Sequence, residues 1–273
     1  MAATNVYAPA TAKLEKVIVE TPTIRTFVLR PEEPMAFRAG QFVQLTLPGV
    51  GEAPFTPSSS PREPERIEVT VLRTGRVTDA LHKVEQGADL GLRGPFGKGY
   101  PLDKLRGKEV LLVGGGVGLA PLRSLIYALL AEIGQFKKVV IKYGARSPAE
   151  LLYSRQFDEW RNTPGVDFQE TIDVPAPGWE GHVGLVTSLM TEDMGVDIAD
   201  SYLVSCGPAI MLKFVTLRAI ELGYQPEQIY LSMNRRMSCG IGKCGRCNIG
   251  PYYLCKDGPD MCYAKIKDYP NVF

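Results

Sequence analysis

The chain has 273 residues, of which 45% are hydrophobic and 22% are charged, a composition typical of a folded globular protein. Its 31 basic and 30 acidic residues give a net charge of +1, which argues against a nucleic-acid binder. No apolar run approaches the roughly 20 residues that span a bilayer, so we expect no transmembrane segment. The start, MAATNVYAPATAKLEK, lacks the basic-then-apolar layout of a secretory signal, and we therefore expect a cytoplasmic protein.

The N-terminal part, residues 1–103, predicts β-structure. Its short runs rich in Val, Ile, Thr and Phe are EKVIVE, RTFVLR, FVQLTL and RIEVTVL, and clusters of Gly and Pro separate them. Several short strands at this spacing are typical of a barrel or sandwich. One helical segment is expected here, at Thr78–Gln86.

From about Arg106 the pattern changes to alternating strands and helices. EVLLV is continuously apolar, like a strand buried on both faces, and LAPLRSLIYALLAEIG has Leu and Ile at helical spacing. KVVIKYG predicts a second strand and AELLYSRQFDEW a second amphipathic helix; VDFQETI, SYLVS and IYL predict further strands with helices between them. This alternation predicts a parallel sheet over residues 104–230. Residues 231–273 have little periodicity, so something other than a hydrophobic core is expected to stabilise them.

A glycine-rich loop connects the first predicted strand of this sheet to the helix that follows. Its glycines are Gly114, Gly115, Gly116 and Gly118. Such a loop lets the backbone approach a phosphate, and the helix start supplies free N–H groups and a favourable dipole. A tight turn without a ligand is the alternative. Pro121 is tolerated in the first helical turn because the N–H it lacks would have no intrahelical partner.

The residues after the second predicted strand bear on which nucleotide would bind. The loop has the spacing G-x-G-x-x-P, and no acidic residue follows KVVIKYG to hold a ribose hydroxyl. Arg146 stands there instead, which favours a 2′-phosphate. NAD and NADP both stay open.

Five of the six cysteines lie in the last 35 residues. Cys239, Cys244 and Cys247 have the x4, x2 spacing of plant-type [2Fe–2S] ferredoxins, and the glycines between them permit tight turns. Zinc is the weaker alternative because its sites prefer two C-x2-C pairs and only one is present. The fourth ligand is either Cys255 or Cys262, and loop length alone does not decide between them.

Three further segments carry weaker signals. Cys206 follows the apolar strand YLVS, where a thiol faces the usual ligand crevice of a parallel sheet, although a small buried hydrophobe is the alternative. The segment with Phe55, Thr56 and Ser58 offers an aromatic face and hydroxyls, or is a polar surface loop. The segment before the first helix, up to Thr78, is a second possible anion-binding helix start or a simple N-cap.

Taken together, these motifs resemble the ferredoxin–NADP reductase superfamily. They are P-F-T, G-x-V-T, G-P-F-G, G-G-G-V-G-L-A-P and C-G-P, in this order along the chain. The tail C-G-I-G-K-C-G-R-C-N-I-G…Y-L-C-K-D-G-P is similar to flavoprotein subunits of multisubunit complexes. These include the gamma subunit of sulfhydrogenase-type [NiFe] hydrogenases, the flavoprotein subunit of anaerobic sulfite reductase and the electron-transfer subunit of dihydroorotate dehydrogenase. The hydrogenase subunit is the most similar, because a short gap precedes Cys255 and K-D-G-P follows it.

The resemblance implies an FAD-binding β-barrel at residues 1–103, an α/β parallel-sheet domain for NAD(P) at 104–230 and a small Cys-rich [2Fe–2S] lobe at 231–273. Phe55 and Thr56 would lie against the isoalloxazine ring. The implied FAD-pyrophosphate contacts are Gly75, Val77 and Thr78. The nicotinamide cofactor would lie at Gly116–Pro121 with Cys206 near its reactive carbon. The fourth cluster ligand would be Cys255.

One position departs from the family pattern R-x-[YF]-[ST], because Ala53 stands where the arginine that touches the flavin phosphates is expected. Either the phosphate charge is met elsewhere, with Arg73 as the candidate, or flavin binds more weakly.

The implied function is electron transfer between NAD(P)H and a partner redox subunit through FAD and the cluster. The expected partners are iron–sulfur and [NiFe] hydrogenase subunits in a hetero-oligomer. A stand-alone NAD(P)H–ferredoxin reductase is one alternative, and a subunit of a sulfite, heterodisulfide or dihydroorotate redox complex is another. A non-catalytic assembly subunit and a zinc-ribbon module are the remaining ones.

Overall fold

The structure, a computed structural model, describes residues 5–273, so the first four residues of the predicted barrel lie outside the described part. The first half forms a six-stranded antiparallel sheet in the order β4-β3-β6-β1-β2-β5. Its strands are β1 (Ala10–Val19), β2 (Ile24–Pro31), β3 (Phe42–Leu47), β4 (Gly51–Phe55), β5 (Ile67–Leu72) and β6 (Asp89–Phe96). A bridge between Pro57 and Val69 joins the continuation of β4 to β5, so the two edges meet and the predicted barrel is confirmed.

Strand β5 shows why these residues form a barrel. Ile67, Val69 and Val71 alternate along it, and all three are fully buried. Alternation places them on one face of the sheet, where they pack inside the barrel. Helix α1 (Arg76–Leu81) follows directly; it begins and ends earlier than the predicted segment, and turns replace its last residues.

The second sheet has seven strands in the order β10-β9-β8-β7-β11-β12-β15, of which β15 (Asp260–Cys262) belongs to the C-terminal part of the chain. Those from β10 to β12 are parallel, as predicted, and β15 is antiparallel to β12. The parallel strands are β7 (Glu109–Gly115), β8 (Lys138–Ala145), β9 (Val166–Ile172), β10 (His182–Val183), β11 (Ser201–Cys206) and β12 (Ile229–Ser232). The helices of this region are α2 (Leu102–Leu105), α3 (Leu119–Leu130), α4 (Phe157–Asn162) and α5 (Ala209–Glu221).

The strand order fixes where a ligand crevice lies. The chain continues from β7 to β8 on one side and later returns to β11 on the other side of β7. Crevices in open α/β sheets form where the strand order reverses in this way, outside the carboxyl ends of the strands. At this point Gly114 of β7 and Cys206 of β11 are direct register partners. The glycine loop and the predicted thiol therefore meet at one edge.

Two predicted helices are wrong. The helix expected over residues 149–160 consists of 3₁₀ turns at Pro148–Glu150 and Ser154–Gln156, followed by the short α4. Tyr153 interrupts it with a left-handed backbone (φ 60°), because its buried side chain packs against the barrel. Between β9 and β11 the chain forms strand β10 and 3₁₀ turns instead of an α-helix.

The C-terminal part is better packed than its sequence indicates. Its elements are β13 (Asn248–Ile249), β14 (Tyr252–Tyr253), α6 (Leu254–Asp257), β15 (Asp260–Cys262) and α7 (Tyr263–Ile266). Ile249, Leu254 and Met261 are buried in one apolar cluster with Leu212 and Val215 of α5. The expectation that no hydrophobic core holds this part is therefore wrong.

We propose that the three units end after residues 103, 230 and 273, with β15 of the last unit completing the sheet of the second. No helix within residues 5–273 combines the length and the apolar character needed to cross a membrane.

Candidate functional site

A cavity of about 940 Å³ lies where the three units meet. This volume is within the range of pockets for small ligands, which hold roughly 300–1,000 Å³. Of the predicted site residues, it is lined by Phe55, Thr56, Thr78, Gly118, Pro121 and Cys206. Ser232, Met237 and Ser238 also line it, so the segment that leads into the cysteine group forms part of its wall.

The barrel wall of the cavity is formed by the end of β4 and the start of α1. Phe55 ends β4, paired with Val43, and is only half-buried, so its ring is available to a flat ligand. The hydroxyl of Thr78 accepts the N–H groups of Thr74 and Gly75, both at 2.9 Å. The side chain of Thr78 therefore already orders part of the backbone at the start of α1.

The opposite wall is the loop between β7 and the 12-residue helix α3. A Cβ built on Gly118 would lie 2.2 Å from the carbonyl oxygen of Cys206, and one on Gly115 would lie 2.2 Å from Met211 Sδ. Gly116 has open space around it but a left-handed φ of +54°. These glycines let the loop pass against β11, and the start of α3 consequently lines the cavity.

Cys206 lies at the junction of the two walls and is 8% exposed. Burial raises the pKa of its thiol to about 12, the nearby Asp260 carboxyl raises it as well, and a hydrogen bond with Ser232 opposes them. The residue is therefore a neutral thiol at physiological pH, suited to packing against a ligand rather than to nucleophilic attack.

Other predicted site residues lie outside the lining of the cavity; they are Ser58, Arg73, Gly75, Val77, Gly114, Gly115, Gly116 and Arg146. Ser58 is fully buried, with its Oγ 2.9 Å from Thr70 Oγ1. Arg73 is exposed, and its Nε lies 3.1 Å from Asp79 Oδ1. Arg146 is exposed beyond the carboxyl end of β8.

Two arginines that line the cavity, Arg235 and Arg236, were not predicted from the sequence. Arg235 donates to the carbonyl oxygens of Asn271 and Val272, whereas Arg236 is exposed at the cavity. The adjacent R-R just before the cysteine group was the only signal that the sequence offered.

A buried polar contact fixes the second unit against the barrel. Arg123 of α3, 5% exposed, donates to Glu68 Oε2 at 2.5 Å and lies over the ring of Tyr153 at 4.4 Å. The hydroxyl of Tyr153 in turn lies 2.5 Å from Thr70 Oγ1 of β5. Because α3 also carries one cavity wall, this contact sets the distance between the walls.

The C-terminal unit is fixed to the barrel in a similar way. The buried Arg93 of β6 forms an ion pair with Glu52 at 2.6 Å and lies 3.4 Å from the carbonyl oxygen of Cys239. Gln44 of β3 donates to the carbonyl oxygen of Met237 at 2.9 Å. The start of the cysteine loop is thus positioned against the cavity.

The four predicted ligand cysteines lie in one loop and the helix turn after it. Cys247 Sγ and Cys255 Sγ are 3.4 Å apart, close to the roughly 3.8 Å between two sulfurs bound to one tetrahedral metal. Cys239 Sγ accepts the N–H of Cys244 at 3.4 Å. Cys244 is exposed, whereas the other three are buried.

Backbone N–H groups converge on two of these sulfurs. Cys239 Sγ accepts from Lys243 at 3.3 Å, and Cys255 Sγ accepts from Gly242 at 3.1 Å. Burial opposes ionisation of Cys239, but the N–H groups outweigh it and lower its pKa to about 6. Burial and the neighbouring Cys247 raise the pKa of Cys255 to about 12. Converging N–H donors suit sulfurs that carry negative charge, and this donor set fits a [2Fe–2S] cluster.

Cys262 lies apart from this group. It belongs to β15, and its sulfur lies 3.7 Å from the carbonyl oxygens of Pro226 and Glu227. Within residues 5–273, no three His, Cys, Asp or Glu side chains surround the position of a single metal ion.

Three family profiles match the chain. The oxidoreductase FAD-binding domain matches residues 11–100 and the oxidoreductase NAD-binding domain matches residues 112–216. The iron–sulfur cluster binding domain of dihydroorotate dehydrogenase B matches residues 234–267.

Curated relatives match over nearly the full length. Sulfhydrogenase 1 subunit gamma from Pyrococcus furiosus is 35% identical, with 98% of this chain and 95% of the relative covered. A probable dihydroorotate dehydrogenase B electron transfer subunit from Methanocaldococcus jannaschii is 35% identical, with 95% and 91% covered. Both similarities extend through all three units.

Solved structures share the same architecture. The NADH-dependent reduced ferredoxin-NADP oxidoreductase has a TM-score of 0.76 and 26% identity, with 98% of this chain and 93% of that chain covered. A ferredoxin NADP+ reductase from Neisseria gonorrhoeae, solved with bound FAD and NADP, has a TM-score of 0.71 and 20% identity, with 81% and 96% covered. The second similarity concerns the fold alone.

Proposed function

Because this chain belongs to the ferredoxin–NADP reductase-like family of flavin and iron–sulfur electron-transfer proteins, we propose that it passes electrons between NAD(P)H and a partner redox subunit. The chain is an NAD(P)H-dependent flavoprotein oxidoreductase with FAD-binding, NAD-binding and iron–sulfur-binding units. The observation that carries the proposal is the shared cavity. Phe55, Gly118, Cys206 and Ser238, one residue before Cys239, all line it.

In the proposed flavin site, Phe55 and Thr56 face the isoalloxazine ring. Bound FAD supplies the conversion between two-electron hydride chemistry and single-electron chemistry. The first-turn N–H groups of α1, next to Gly75 and Val77, are left free by the helix and contact the pyrophosphate. Since Arg73 is paired with Asp79, the exposed Arg236 is the better-placed cation for the phosphate charge that Ala53 cannot meet.

In the proposed nicotinamide site, the start of α3 receives the cofactor pyrophosphate. Gly116, whose Cβ position is open, keeps a side chain away from it, and Gly118 and Pro121 form the adjacent wall. The neutral thiol of Cys206 packs beside the nicotinamide ring without adding charge there. Arg146 is exposed at the end of β8, where it contacts a 2′-phosphate if the cofactor is NADP.

In the proposed electron exit, Cys239, Cys244, Cys247 and Cys255 hold a [2Fe–2S] cluster. Because Cys244 is exposed, a partner protein approaches the cluster from this side.

Relatives named as subunits support a hetero-oligomer with other redox subunits, with those of a [NiFe] hydrogenase as the first candidate. A stand-alone NAD(P)H–ferredoxin reductase is the second candidate, since a solved ferredoxin-NADP oxidoreductase aligns over 98% of this chain. We place the complex in the cytoplasm.

Purification of the native chain with its bound proteins tests the proposal. We expect about one FAD and two irons per chain, a cluster spectrum, and redox subunits in the same complex. Stoichiometric zinc with negligible iron would contradict the cluster. A fully active monomer that reduces ferredoxin would favour the second candidate.

A matched pair of cysteine variants tests the ligand set. Cys255→Ser removes a buried sulfur 3.4 Å from Cys247, so the visible cluster spectrum should be lost or strongly altered. Cys262→Ser, its control in the same unit, should keep the native spectrum because its sulfur lies near Pro226 and Glu227. The reverse result would show that Cys262 is the fourth ligand.

A further inference from the structure

A buried ion pair lies between the cavity and the cysteine loop, and the proposed electron path assigns it no role. Arg93 of β6 is 4% exposed, and its Nε and Nη2 donate to the two carboxylate oxygens of Glu52 at 3.0 and 2.6 Å. Glu52 belongs to β4 and lines the cavity. Two parallel hydrogen bonds of this kind fix the relative orientation of the two groups as well as their distance.

The remaining N–H groups of Arg93 face backbone carbonyl oxygens, two of which begin the cysteine loop. Its Nη1 donates to Cys239 at 3.4 Å and to Val6 at 3.0 Å, and its Nη2 donates to Ser238 at 3.4 Å. Together with the two bonds to Glu52, these contacts use all five N–H groups of the guanidinium, so they hold it in one orientation. The pair therefore has its positive end at the cysteine loop and its negative end at the cavity.

Aromatic rings connect the cavity to the cysteine loop beside this pair. The Arg93 guanidinium lies 5.5 Å from the centre of the Phe96 ring. A Cβ on Gly240, the residue after Cys239, would approach the same ring to 2.7 Å, so the loop packs directly against it. The Phe96 ring lies 5.5 Å from that of Phe42, which lines the cavity. Apolar surroundings screen charge weakly, so the pair acts on groups at both of its ends.

We propose that the oriented Arg93–Glu52 pair sets the difference between two reduction potentials, raising that of a cluster at the cysteine loop and lowering that of a flavin in the cavity. A positive charge near a redox group stabilises its reduced form, and a negative charge destabilises it. The pair thus makes transfer of an electron from the cavity to the loop more favourable without adding net charge. This inference rests on the proposed function, which assigns FAD to the cavity and the cluster to the cysteines.

Redox titration of the purified chain with FAD and cluster bound tests the inference. Visible absorbance follows the flavin, and electron paramagnetic resonance follows the reduced cluster. Glu52→Gln keeps the size of the side chain and removes its charge at the cavity. The flavin potential should rise, and by more than that of the cluster. We expect a threefold to tenfold higher ratio of reduced to oxidised flavin at a given potential, about 15–30 mV for a two-electron couple.

Arg93→Gln removes the charge at the cysteine loop. It leaves a carboxylate whose side chain is 31% exposed and can be hydrated. The ratio of reduced to oxidised cluster should fall threefold to tenfold, about 30–60 mV for one electron, and the flavin potential should fall less. Arg93→Lys keeps the charge and should restore most of the cluster potential.

The double variant Glu52→Gln/Arg93→Gln separates the effect of charge from that of anchoring. It leaves the net charge unchanged, so the flavin potential should rise while the cluster potential falls. A pair that only anchors the loop would alter the packing around the cluster and leave the flavin potential at its native value. The control Lys13→Gln/Asp89→Asn removes an exposed ion pair between β1 and β6, and it should keep both native potentials.

A native flavin potential in Glu52→Gln would overturn the inference, even if the Arg93 variants fail to fold. Equal shifts of the two potentials in Glu52→Gln would overturn it as well, because the pair would then have no directional effect. A purified native chain that lacks FAD or iron would contradict the proposed function, and the inference with it. Unchanged potentials in variants that carry both groups would contradict the inference alone.

Discussion

The two proposed phosphate-binding turns of this protein both combine glycine with a helix start, but they differ in what requires the glycine. At the start of α3, Gly118 lies so close to β11 that a Cβ would approach the carbonyl oxygen of Cys206 to 2.2 Å. At the start of α1, Gly75 has nothing within 4 Å and an extended backbone (φ −178°) that any residue can adopt. Only the first glycine is required by the fold itself.

This difference limits what a glycine motif can indicate. A glycine that packing requires would be needed with or without a ligand, so Gly118 is weak evidence for nucleotide binding. Packing does not require the glycine at Gly75, so this position leaves room for an approaching ligand, but glycine is also an ordinary residue at the N-cap position that it occupies. Gly116 lies between these cases, since it has open space but a left-handed backbone.

Of the four substitutions that follow, Gly118→Val should have the largest effect, and this effect is on the stability of the fold. The added side chain meets the backbone of Cys206 and Gly207, which cannot move without disturbing β11, so we expect a loss of about 3 kcal/mol in the free energy of unfolding. Thermal unfolding followed by circular dichroism measures this. Gly134→Val is the control, because nothing lies within 4 Å of Gly134. Equal stability of the two variants would show that the turn adapts easily.

Gly116→Ala should separate binding from folding. We expect a cost of about 1–2 kcal/mol for a left-handed alanine, and a further weakening of NAD(P)H binding by roughly tenfold, about 1.4 kcal/mol, with FAD retained. Gly107→Ala is the matched control, since its φ is +72° and its surroundings are equally open, but it lies away from the cavity. Titration of flavin reduction with NAD(P)H measures the difference. Equal NAD(P)H affinity in both variants would mean that the loop is only a turn.

Gly75→Ala should leave stability within about 0.5 kcal/mol of native, because the position is open and extended. FAD binding should weaken roughly threefold to tenfold, about 0.6–1.4 kcal/mol, since a methyl group would stand where the pyrophosphate approaches. Equilibrium dialysis of the deflavinated chain measures the affinity, with Gly134→Ala as control. Unchanged FAD affinity would show that the start of α1 is not part of the flavin site.

Arg146→Ala should have the smallest effect. An exposed arginine contributes up to about 1 kcal/mol to an ion pair, so NADPH affinity should fall by about threefold to fivefold and NADH affinity should stay unchanged. Arg30→Ala, an exposed arginine on the barrel, is the control. Parallel losses for both nucleotides would show that Arg146 does not contact a 2′-phosphate.

Local patterns predicted those parts of the protein whose signal lies within a short stretch of sequence. The alternation in β5, the apolar run of β7 and the x4, x2 spacing of the cysteines each depend on fewer than about ten residues. Strand β4, with the sequence GEAPF, has no such signal and forms because β3 pairs with it. Tyr153 breaks a helix whose periodicity is good, because its side chain binds Thr70, 83 residues away in the chain.

The residues of the site that the sequence did not predict are also brought together by contacts between distant parts of the chain. Asp260 and Ser232 are separated by 28 residues and come together only because β15 pairs with β12. Arg236 reaches the cavity because Arg93 and Gln44 hold the segment around it against the barrel. Neither arrangement produces a periodic pattern in the sequence, so a single sequence cannot reveal which polar residues share a pocket.

The position of β15 gives the C-terminal unit a protective role. It covers the open edge of β12, which would otherwise present unpaired N–H and C=O groups to any other strand. The same unit carries the cysteines, so unfolding of this unit would release the proposed cluster ligands and uncover the edge of β12 together. We therefore expect chains in which this unit has unfolded to self-associate through the uncovered edge of β12.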